Sequence, residues 1–309
     1  MIGATTGLLA GFMPPDDAKA VFGAPDTISA GVFAPRGKAV REVRDGVAGY
    51  CATGRWQWGS GSRNATWIAG GCLIMGEDGK PEMAPEGVPQ NRMLIFPAGD
   101  VTLLDTWDVS GLNGTGSTDF EVKDIFVPEA RAISLISDKP LSRPLYAFPT
   151  FGLLSIGIAG VALGAARGAI DDLVEIAGAK KPQGSSKTLS ERAKAHLDMS
   201  EAEALLRSAR AYLYEAIDTA WEAATAQGEI TVDHRRDLRH ASVNATKSAM
   251  RAIDLMYTLA GGNSVYRSNA LQRRFRDIHV ATQHAMVADT TYELTGRLFL
   301  GVPTNIAML

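Results

Sequence analysis

A loop between Gly54 and Trp67 holds the residues of this chain that are best suited to chemistry. Its glycines let the backbone approach a ligand closely, and Ser60 and Ser62 can present hydroxyl and amide groups to the edge of a flat heteroaromatic ring. Two interpretations are open at this point: a strand and loop that contact a cofactor, or a tryptophan-rich β-hairpin whose rings only fill a core. The rings in question belong to three tryptophans: Trp56, Trp58 and Trp67.

Composition limits the classes of function. The chain has 309 residues, which is enough for two compact units, and its 31 basic and 34 acidic residues give a net charge of -3. The absence of a basic block argues against nucleic acid as a partner. Cys51 and Cys72 form no Cys-x-x-Cys pair, and the five histidines lack metal-ligand spacing, so we expect no metal and a reducing, cytoplasmic location.

Two apolar stretches need an explanation other than a membrane. The first residues, Met1 to Met13, have no basic region before them, which favours a structural segment over a signal peptide. The stretch from Pro144 to Ala166 has no charge and is about long enough to span a bilayer. Pro149 interrupts it early and glycines recur at helical spacing, so we predict a helix buried in a bundle and no membrane partner.

The first half of the chain has the pattern of an antiparallel β-barrel or sandwich. Short runs of β-branched and aromatic residues alternate with Gly, Pro, Asn and Asp. Within this half, Ser110 to Ser117 is a loop of small residues that could open room for a ligand. The predicted strands are Thr66 to Met75, Arg92 to Phe96, Val101 to Val109 and Phe120 to Val127.

The second half has helical periodicity and predicts an antiparallel four-helix bundle. Thr188 and Glu191 form a capping-box pattern, which predicts that a helix begins there and ends at Gly228. We predict the boundary between the halves in the segment from Ser137 to Pro144, which carries two prolines. The other predicted helices cover Phe151 to about Ala179, about Val232 to Ala260, and about Leu271 to Leu298.

A β domain followed by a helical bundle, with these motifs in order, resembles the acyl-CoA dehydrogenase superfamily. More narrowly, it is similar to the branch of two-component, group D flavin-dependent monooxygenases. The motifs that carry the resemblance are Gly54-Arg55-Trp56, Ser60-Gly61-Ser62, Trp107 to Gly111, Gly114 to Ser117, Val127-Pro128-Glu129, Ala260-Gly261-Gly262, Leu271 to His279, and Gln283-His284.

The resemblance implies an α+β fold with three parts. Residues 1-23 are expected to be the remnant of an N-terminal helical domain, most of which we expect to be missing. Residues 24-140 would form the middle β domain, and residues 141-309 the C-terminal four-helix bundle.

By the same resemblance, His284 and Ser60 are the expected catalytic residues. His284 stands near the position where acyl-CoA dehydrogenases have a glutamate base, and no carboxylate occurs at 283-286. An imidazole there suits oxygen chemistry, since it can hydrogen-bond a flavin C4a-hydroperoxide. Ser60 would contact the N5 and O4 edge of the flavin, with Trp58 beside the ring. His279 is expected to be structural, bonded to Asp277 or to a backbone carbonyl.

Other positions are assigned to the cofactor only by resemblance, and a tight turn or a helix cap explains them equally well. Arg273 and Asp277 are four residues apart, which favours a surface or inter-subunit ion pair over phosphate binding by these arginines. The sequence lacks the Arg-x-x-Phe-Gly pattern that holds the FAD pyrophosphate in related dehydrogenases, and this favours a diffusible flavin, FMN or FAD. The positions assigned to cofactor binding are Trp58, Gly59, Ser60, Thr115, Gly116, Ser117, Gly261 and Gly262.

These observations predict an oxygenase component that takes reduced FMN or FAD from a separate flavin reductase, reacts with molecular oxygen and hydroxylates a small aromatic or heteroaromatic substrate. Apolar and small residues on several faces of the helices predict a homo-oligomer, a dimer or a tetramer. Two alternatives remain: an acyl-CoA dehydrogenase-like FAD flavoprotein, and an inactive truncated homologue or partner subunit.

Overall fold

The computed structural model describes residues 2-84 and 87-309 and divides the chain into two compact units. The β unit comprises the residues up to Val109 and the segment Asn113–Ser142, and the helical unit comprises Ser110–Leu112 and Arg143–Leu309. A sheet unit followed by a helical unit confirms the α+β class. The three-part division at 1-23, 24-140 and 141-309 stays a prediction, and Met1 lies outside the described residues.

In its described part, the β unit contains two short helices and one sheet of seven strands. The strand order in the sheet is β5-β6-β2-β1-β3-β4-β7. Val21 of α2 packs against the sheet together with Leu9 and Met13, which lie between α1 and α2. The elements are α1 (Ile2–Gly7), α2 (Pro15–Phe22), β1 (Ser29–Arg44), β2 (Val47–Trp56), β3 (Trp67–Met75), β4 (Asn91–Pro97), β5 (Thr102–Leu104), β6 (Asp119–Pro128) and β7 (Ala132–Ile133).

The sheet is antiparallel at five of its six pairings and parallel where β1 meets β3. The expectation of a purely antiparallel sheet therefore fails at this one pairing. The cause is the loop after β2, which ends at the edge where β1 begins, so that Trp67 pairs with Ser29 and β3 runs alongside β1 in the same direction. The loop that the sequence singled out is thus the crossover of the sheet.

The predicted strands omit one hairpin and make one strand too long. The hairpin of β1 and β2 was not predicted, although its turn, Asp45-Gly46, has the positive φ angles that an Asp-Gly pair favours. The strand predicted over Val101 to Val109 is limited to β5. Beyond β5, side-chain hydroxyls replace the ladder: Thr106 N–H donates to Thr118 Oγ1 over 3.2 Å, and Thr106 Oγ1 accepts from Asp119 N–H over 2.9 Å.

Trp56 is the centre of the sheet core. Its side chain is fully buried, its Nε1 donates to the Gly71 carbonyl over 2.8 Å, and its ring stacks on Phe120 with 5.0 Å between centroids. The indole lies so close to the backbone of neighbouring strands that a Cβ at Gly70 would lie 2.7 Å from it and one at Gly54 2.8 Å from it. The core interpretation is therefore correct for this tryptophan, and β2 is anchored just before the glycine-serine loop begins.

The helical unit is built on close packing of small residues. α3 and α5 pack against each other and both contribute many buried alanines, which let helices approach closely: Ala159, Ala162, Ala166, Ala169, Ala241, Ala245, Ala249 and Ala252. By length and composition α3 could cross a membrane, yet half of its apolar window is buried in the structure. The helices are α3 (Thr150–Ala177), α4 (Ala193–Gln227), α5 (Val232–Ala260), α6 (Ala270–Ala281) and α7 (Thr290–Phe299).

Two helix predictions are wrong in detail. The capping box of Thr188 and Glu191 forms, but it caps a single 3-10 turn, Leu189–Glu191, and α4 begins only at Ala193. The fourth helical region is not continuous from 271 to 298, because it breaks between α6 and α7. In the break, Thr282 Oγ1 donates to the His279 carbonyl over 2.8 Å, so a side chain takes the place of part of the helical ladder.

We expect Gly70→Ala to destabilise the β unit, because the new methyl group would be forced into the Trp56 ring. Overpacking of this kind costs about 1–3 kcal/mol. Gly99→Ala is the matched control, since nothing lies within 4 Å of a Cβ at that position. Denaturant unfolding followed by tryptophan fluorescence measures both variants. Equal unfolding midpoints would contradict this account of the core.

Candidate active site

Two loops of the β unit, residues 57-62 and 113-118, are joined by backbone hydrogen bonds, and we call them the paired loops. Gly59 N–H donates to the Thr118 carbonyl over 3.0 Å, and Gly61 N–H donates to the Thr115 carbonyl over 2.9 Å. Gly59 leaves no room for a side chain, because a Cβ there would lie 2.8 Å from the Phe120 ring. The two small-residue segments noted in the sequence therefore form one structural element.

Three hydroxyl groups form a chain across the paired loops. Ser60 Oγ lies 2.7 Å from Ser117 Oγ, which in turn lies 2.7 Å from Thr115 Oγ1. Gly116, with a φ of 51°, makes the turn that brings Thr115 and Ser117 to the same side. Ser117 is buried and Ser60 is half-buried. Because a hydroxyl has one proton and two lone pairs, Ser60 can accept from Ser117 and keep its own proton for a ligand.

Trp58 combines exposure with a strained backbone. Its φ is 65°, a left-handed conformation that costs a residue with a side chain about 1–3 kcal/mol, and its side chain is 70% exposed. Trp67 is half-buried and lies under the Arg131 guanidinium, 5.4 Å from the ring centroid. Of the three tryptophans, Trp58 therefore presents a ring to the solvent beside Ser60.

Ser62 does not present its hydroxyl as expected. The residue is 2% exposed, and its Oγ has no hydrogen-bond partner among the residues that the structure describes. Its N–H donates to the Gly59 carbonyl over 3.1 Å. Ser60 is consequently the loop serine that a ligand can reach.

In the helical unit, His284 lies in the break between α6 and α7 and caps the 3-10 turn Ala285–Val287. Its Nδ1 accepts a hydrogen bond from Met286 N–H over 3.2 Å. The residue is solvent-accessible, yet desolvation by the protein around it and, second, the charge of Arg239 lower the pKa of His284. The ring is thus held in its neutral form with its proton on Nε2.

Arg239 is a functional candidate that the sequence analysis missed. It lies on α5, is 2% exposed, and donates to Met286 Sδ and to Thr291 Oγ1 over 3.4 Å each. Burial lowers its pKa to about 10, so it is still positively charged at neutral pH. Its position on the face of α5 that carries Leu238 and Ser242 is the signal that could have found it, since an arginine is rare in such a stripe.

Two side-chain partners differ from those expected. Asp277 accepts from Leu112 N–H over 2.6 Å, and no ion pair with Arg273 occurs within the described ranges. His279 bonds neither Asp277 nor a backbone carbonyl through its Nε2, which lies 2.9 Å from Asp254 Oδ1 on α5. A neighbouring helix supplied the partner, which spacing along one helix could not reveal.

Gly261 and Gly262 end α5. Gly261 has a φ of 57° and its N–H donates to the Thr258 carbonyl, as a helix cap does. Lys180 Nζ donates to the adjacent Ala260 carbonyl. This geometry accounts for Gly261 structurally, and contact of either glycine with a cofactor stays a prediction.

The predicted site residues fall into two groups. Ser60, Trp58 and the rest of the paired loops belong to the β unit, whereas His284, Gly261 and Gly262 belong to the helical unit. Among the described residues, no group of three His, Cys, Asp or Glu side chains could hold a metal ion.

Known proteins resemble both units. The family model for the acyl-CoA dehydrogenase C-terminal domain matches residues 156–289. Indole-3-acetate monooxygenase of Pseudomonas putida is 34% identical over 278 residues, which are 90% of this chain and 68% of that protein. The flavin-dependent monooxygenase oxygenase subunit HsaA of Rhodococcus jostii is 30% identical and is matched over 90% of this chain and 72% of its own length. This chain belongs to the flavin-dependent monooxygenases.

A solved structure supports the assignment. XiaF from Streptomyces sp., in complex with FADH2 and glycerol, superposes with a TM-score of 0.87 at 28% identity, over 99% of this chain and 77% of XiaF. This flavin-dependent monooxygenase is thus an oxidoreductase with an acyl-CoA dehydrogenase-like fold.

The residues present suit a flavin. An isoalloxazine ring needs a flat surface and hydrogen-bond partners along its polar edge, and the paired loops supply the exposed Trp58 ring and the Ser60 hydroxyl. In the helical unit, His284 carries a neutral imidazole with a proton on Nε2.

The strain at Trp58 predicts that a glycine variant is more stable than an alanine variant at this position, which is the reverse of the usual order. Trp58→Gly and Trp58→Ala both remove the ring, but only glycine adopts a positive φ freely, so the glycine variant should be more stable by about 1–2 kcal/mol. Gln57, the exposed neighbour without positive φ, is the control: there the glycine variant should be no more stable than the alanine variant. Denaturant unfolding measures all four, and equal stability of the two Trp58 variants would contradict the strain.

Proposed function

We propose that this monooxygenase hydroxylates a small aromatic or heteroaromatic compound, using molecular oxygen and reduced FMN or FAD delivered by its reductase. The observation that carries the proposal is His284, whose neutral ring keeps a proton on Nε2. The name of the Pseudomonas relative, an indole-3-acetate monooxygenase, supports an aromatic substrate. Reduced flavin, when bound, supplies the electrons that activate oxygen.

His284 acts in this proposal as a hydrogen-bond donor. Its Nδ1 is occupied by Met286 N–H, so Nε2–H is the group it can offer to an oxygen atom on which negative charge develops. Because the pKa of His284 is lowered, the ring stays neutral at neutral pH and gains a proton only as the pH falls below the ordinary histidine range. Acidification should therefore impair this function by breaking the bond to Met286.

Ser60 acts in this proposal at the polar edge of the flavin ring, with its hydroxyl anchored by Ser117. Trp58 would lie against the ring system. The small residues near both would let the backbone amides approach the cofactor. The proposed cofactor contacts are Trp58, Gly59, Ser60, Thr115, Gly116, Ser117, Gly261 and Gly262.

The dehydrogenase alternative needs a carboxylate base at the reactive centre. Residues 283-286 contain none, and the next carboxylate along the chain, Asp289, is 84% exposed and pairs with Lys247 Nζ at 2.9 Å. An exposed, paired carboxylate is a weak base for removing a carbon-bound proton. The hydroxylation proposal is favoured for this reason.

Two further parts of the proposal concern the setting. We propose a homo-oligomer, a dimer or tetramer, because apolar side chains are exposed on α3 and α4, including Val161, Leu197 and Trp221. Light scattering that shows a monomer at micromolar concentration would contradict it.

We also propose a cytoplasmic location, since Cys51 and Cys72 are free thiols, and burial raises the pKa of Cys72 to about 12.

His284→Ala should uncouple oxygen consumption from hydroxylation. With reduced flavin supplied by a reductase and indole or phenol substrates, the rate of hydroxylation should fall on the order of a hundredfold, since one positioned donor is lost. More of the oxygen consumed should appear as hydrogen peroxide. Chromatography of the product and a peroxidase assay measure the two quantities.

The control for this experiment is His279→Gln, which removes a histidine from the same region whose ring is bonded to Asp254. It should hydroxylate at close to the wild-type rate. If His284→Ala hydroxylates and releases peroxide as the wild type does, His284 has no part in the chemistry.

A further inference from the structure

Arg239 is a buried positive charge without a negative partner. It is 2% exposed, and within the described part of the chain no carboxylate forms an ion pair with it. Its Nε has no hydrogen-bond partner among those residues, and its other bonds go to a thioether and a hydroxyl. Burying a charge so poorly compensated is costly, which indicates a role beyond packing.

The partners of Arg239 lead directly to His284. Nη1 donates to Met286 Sδ and Nη2 to Thr291 Oγ1, both over 3.4 Å, and Thr291 Oγ1 donates to the Met286 carbonyl over 3.4 Å. Met286 is thereby held through its side chain and its backbone. The N–H of this same residue donates to His284 Nδ1.

The direction of that last bond determines the state of the ring. A backbone N–H can only donate, so Nδ1 must be a bare lone pair and the proton of neutral His284 must be on Nε2. A protonated ring would set two N–H groups against each other and would also face the Arg239 charge.

We propose that Arg239 is a positioning residue for the reaction, which holds Met286 against His284 and keeps the imidazole in the neutral form with its proton on Nε2. That this form is the one used in hydroxylation rests on the proposed function. The tautomer and its dependence on Arg239 do not, because they are properties of the protein without flavin.

No other charge near the His284 ring accounts for its lowered pKa. The 3-10 turn of His284 packs against α3, α5 and α7. α3 contributes Phe151, Leu154 and Ile158 and has no charged residue before Arg167. On α5 and at the start of α7, Lys247 and Asp289 neutralise each other, whereas Glu293 and Tyr292 lie further along α7. Desolvation and then Arg239 lower the pKa of His284.

The test is a pH titration of the flavin-free chain with ¹⁵N-labelled histidine. There are five histidines, and the signals of His284 are those missing from His284→Gln. In the wild type, the nitrogen shifts should show a proton on Nε2 and a midpoint below that of ordinary histidine. Arg239→Met should raise the midpoint, without restoring it fully because desolvation remains. Arg235→Met, one turn away on α5, removes a charge that does not act on His284 and should leave the midpoint unchanged.

A wild-type signal with the proton on Nδ1 would overturn the proposal, and so would a midpoint in Arg239→Met that equals that of the wild type. An equal rise in both arginine variants would overturn it too, because the effect would then be a general consequence of lost charge. If Arg239→Met does not fold, the wild-type tautomer and Thr291→Val, which removes one acceptor of the guanidinium, decide the matter. Thr291→Val should broaden or shift the His284 signals. Unchanged signals would contradict the proposal that Arg239 holds Met286 against His284. Failure of hydroxylation with these shifts intact would contradict the proposed function alone.

Discussion

The hydrogen bond from the Met286 amide to His284 Nδ1 is the contact on which the role proposed for the helical unit depends. It exists only because the helical region breaks after α6, which frees the Met286 N–H from the helical ladder and lets a side chain cap it. A continuous helix would have bonded that amide to a carbonyl and left both nitrogens of the imidazole undefined. We propose that the break, the cap and the buried Arg239 together select one form of His284, the neutral ring with its proton on Nε2. The forms disfavoured are the other neutral tautomer and the doubly protonated ring.

The β unit holds the glycine-serine loop, residues 57-62, in one conformation. Trp56 anchors the end of β2 in the core through its ring stacking and its bond to the Gly71 carbonyl. From that anchor the chain enters the paired loops, where backbone bonds and the hydroxyl chain from Ser60 to Thr115 fix it. The strained Trp58, which lies in the paired loops, presents an exposed ring.

Much of this architecture follows from the sequence, and the rest does not for identifiable reasons. α5 was predicted within a residue at each end, since its small and apolar residues recur at helical spacing and glycines follow it. β1 was missed because Pro35 and Gly37, where its register shifts, interrupt the alternation. Ser60 could be selected by its setting among glycines, but its partner Ser117 is 57 residues away. Arg239 was not predicted, because spacing shows that a residue lies on a buried face but does not show whether its charge has a partner there.

The central claim is that this chain uses reduced flavin as an oxygenase component. Anaerobic titration of the purified chain with reduced and with oxidised FMN and FAD, followed by the quenching of tryptophan fluorescence, tests it most directly. The account predicts that reduced flavin binds more tightly than oxidised flavin and that Trp58→Ala weakens this binding. Tight binding of oxidised FAD, or no binding of either form, would contradict it.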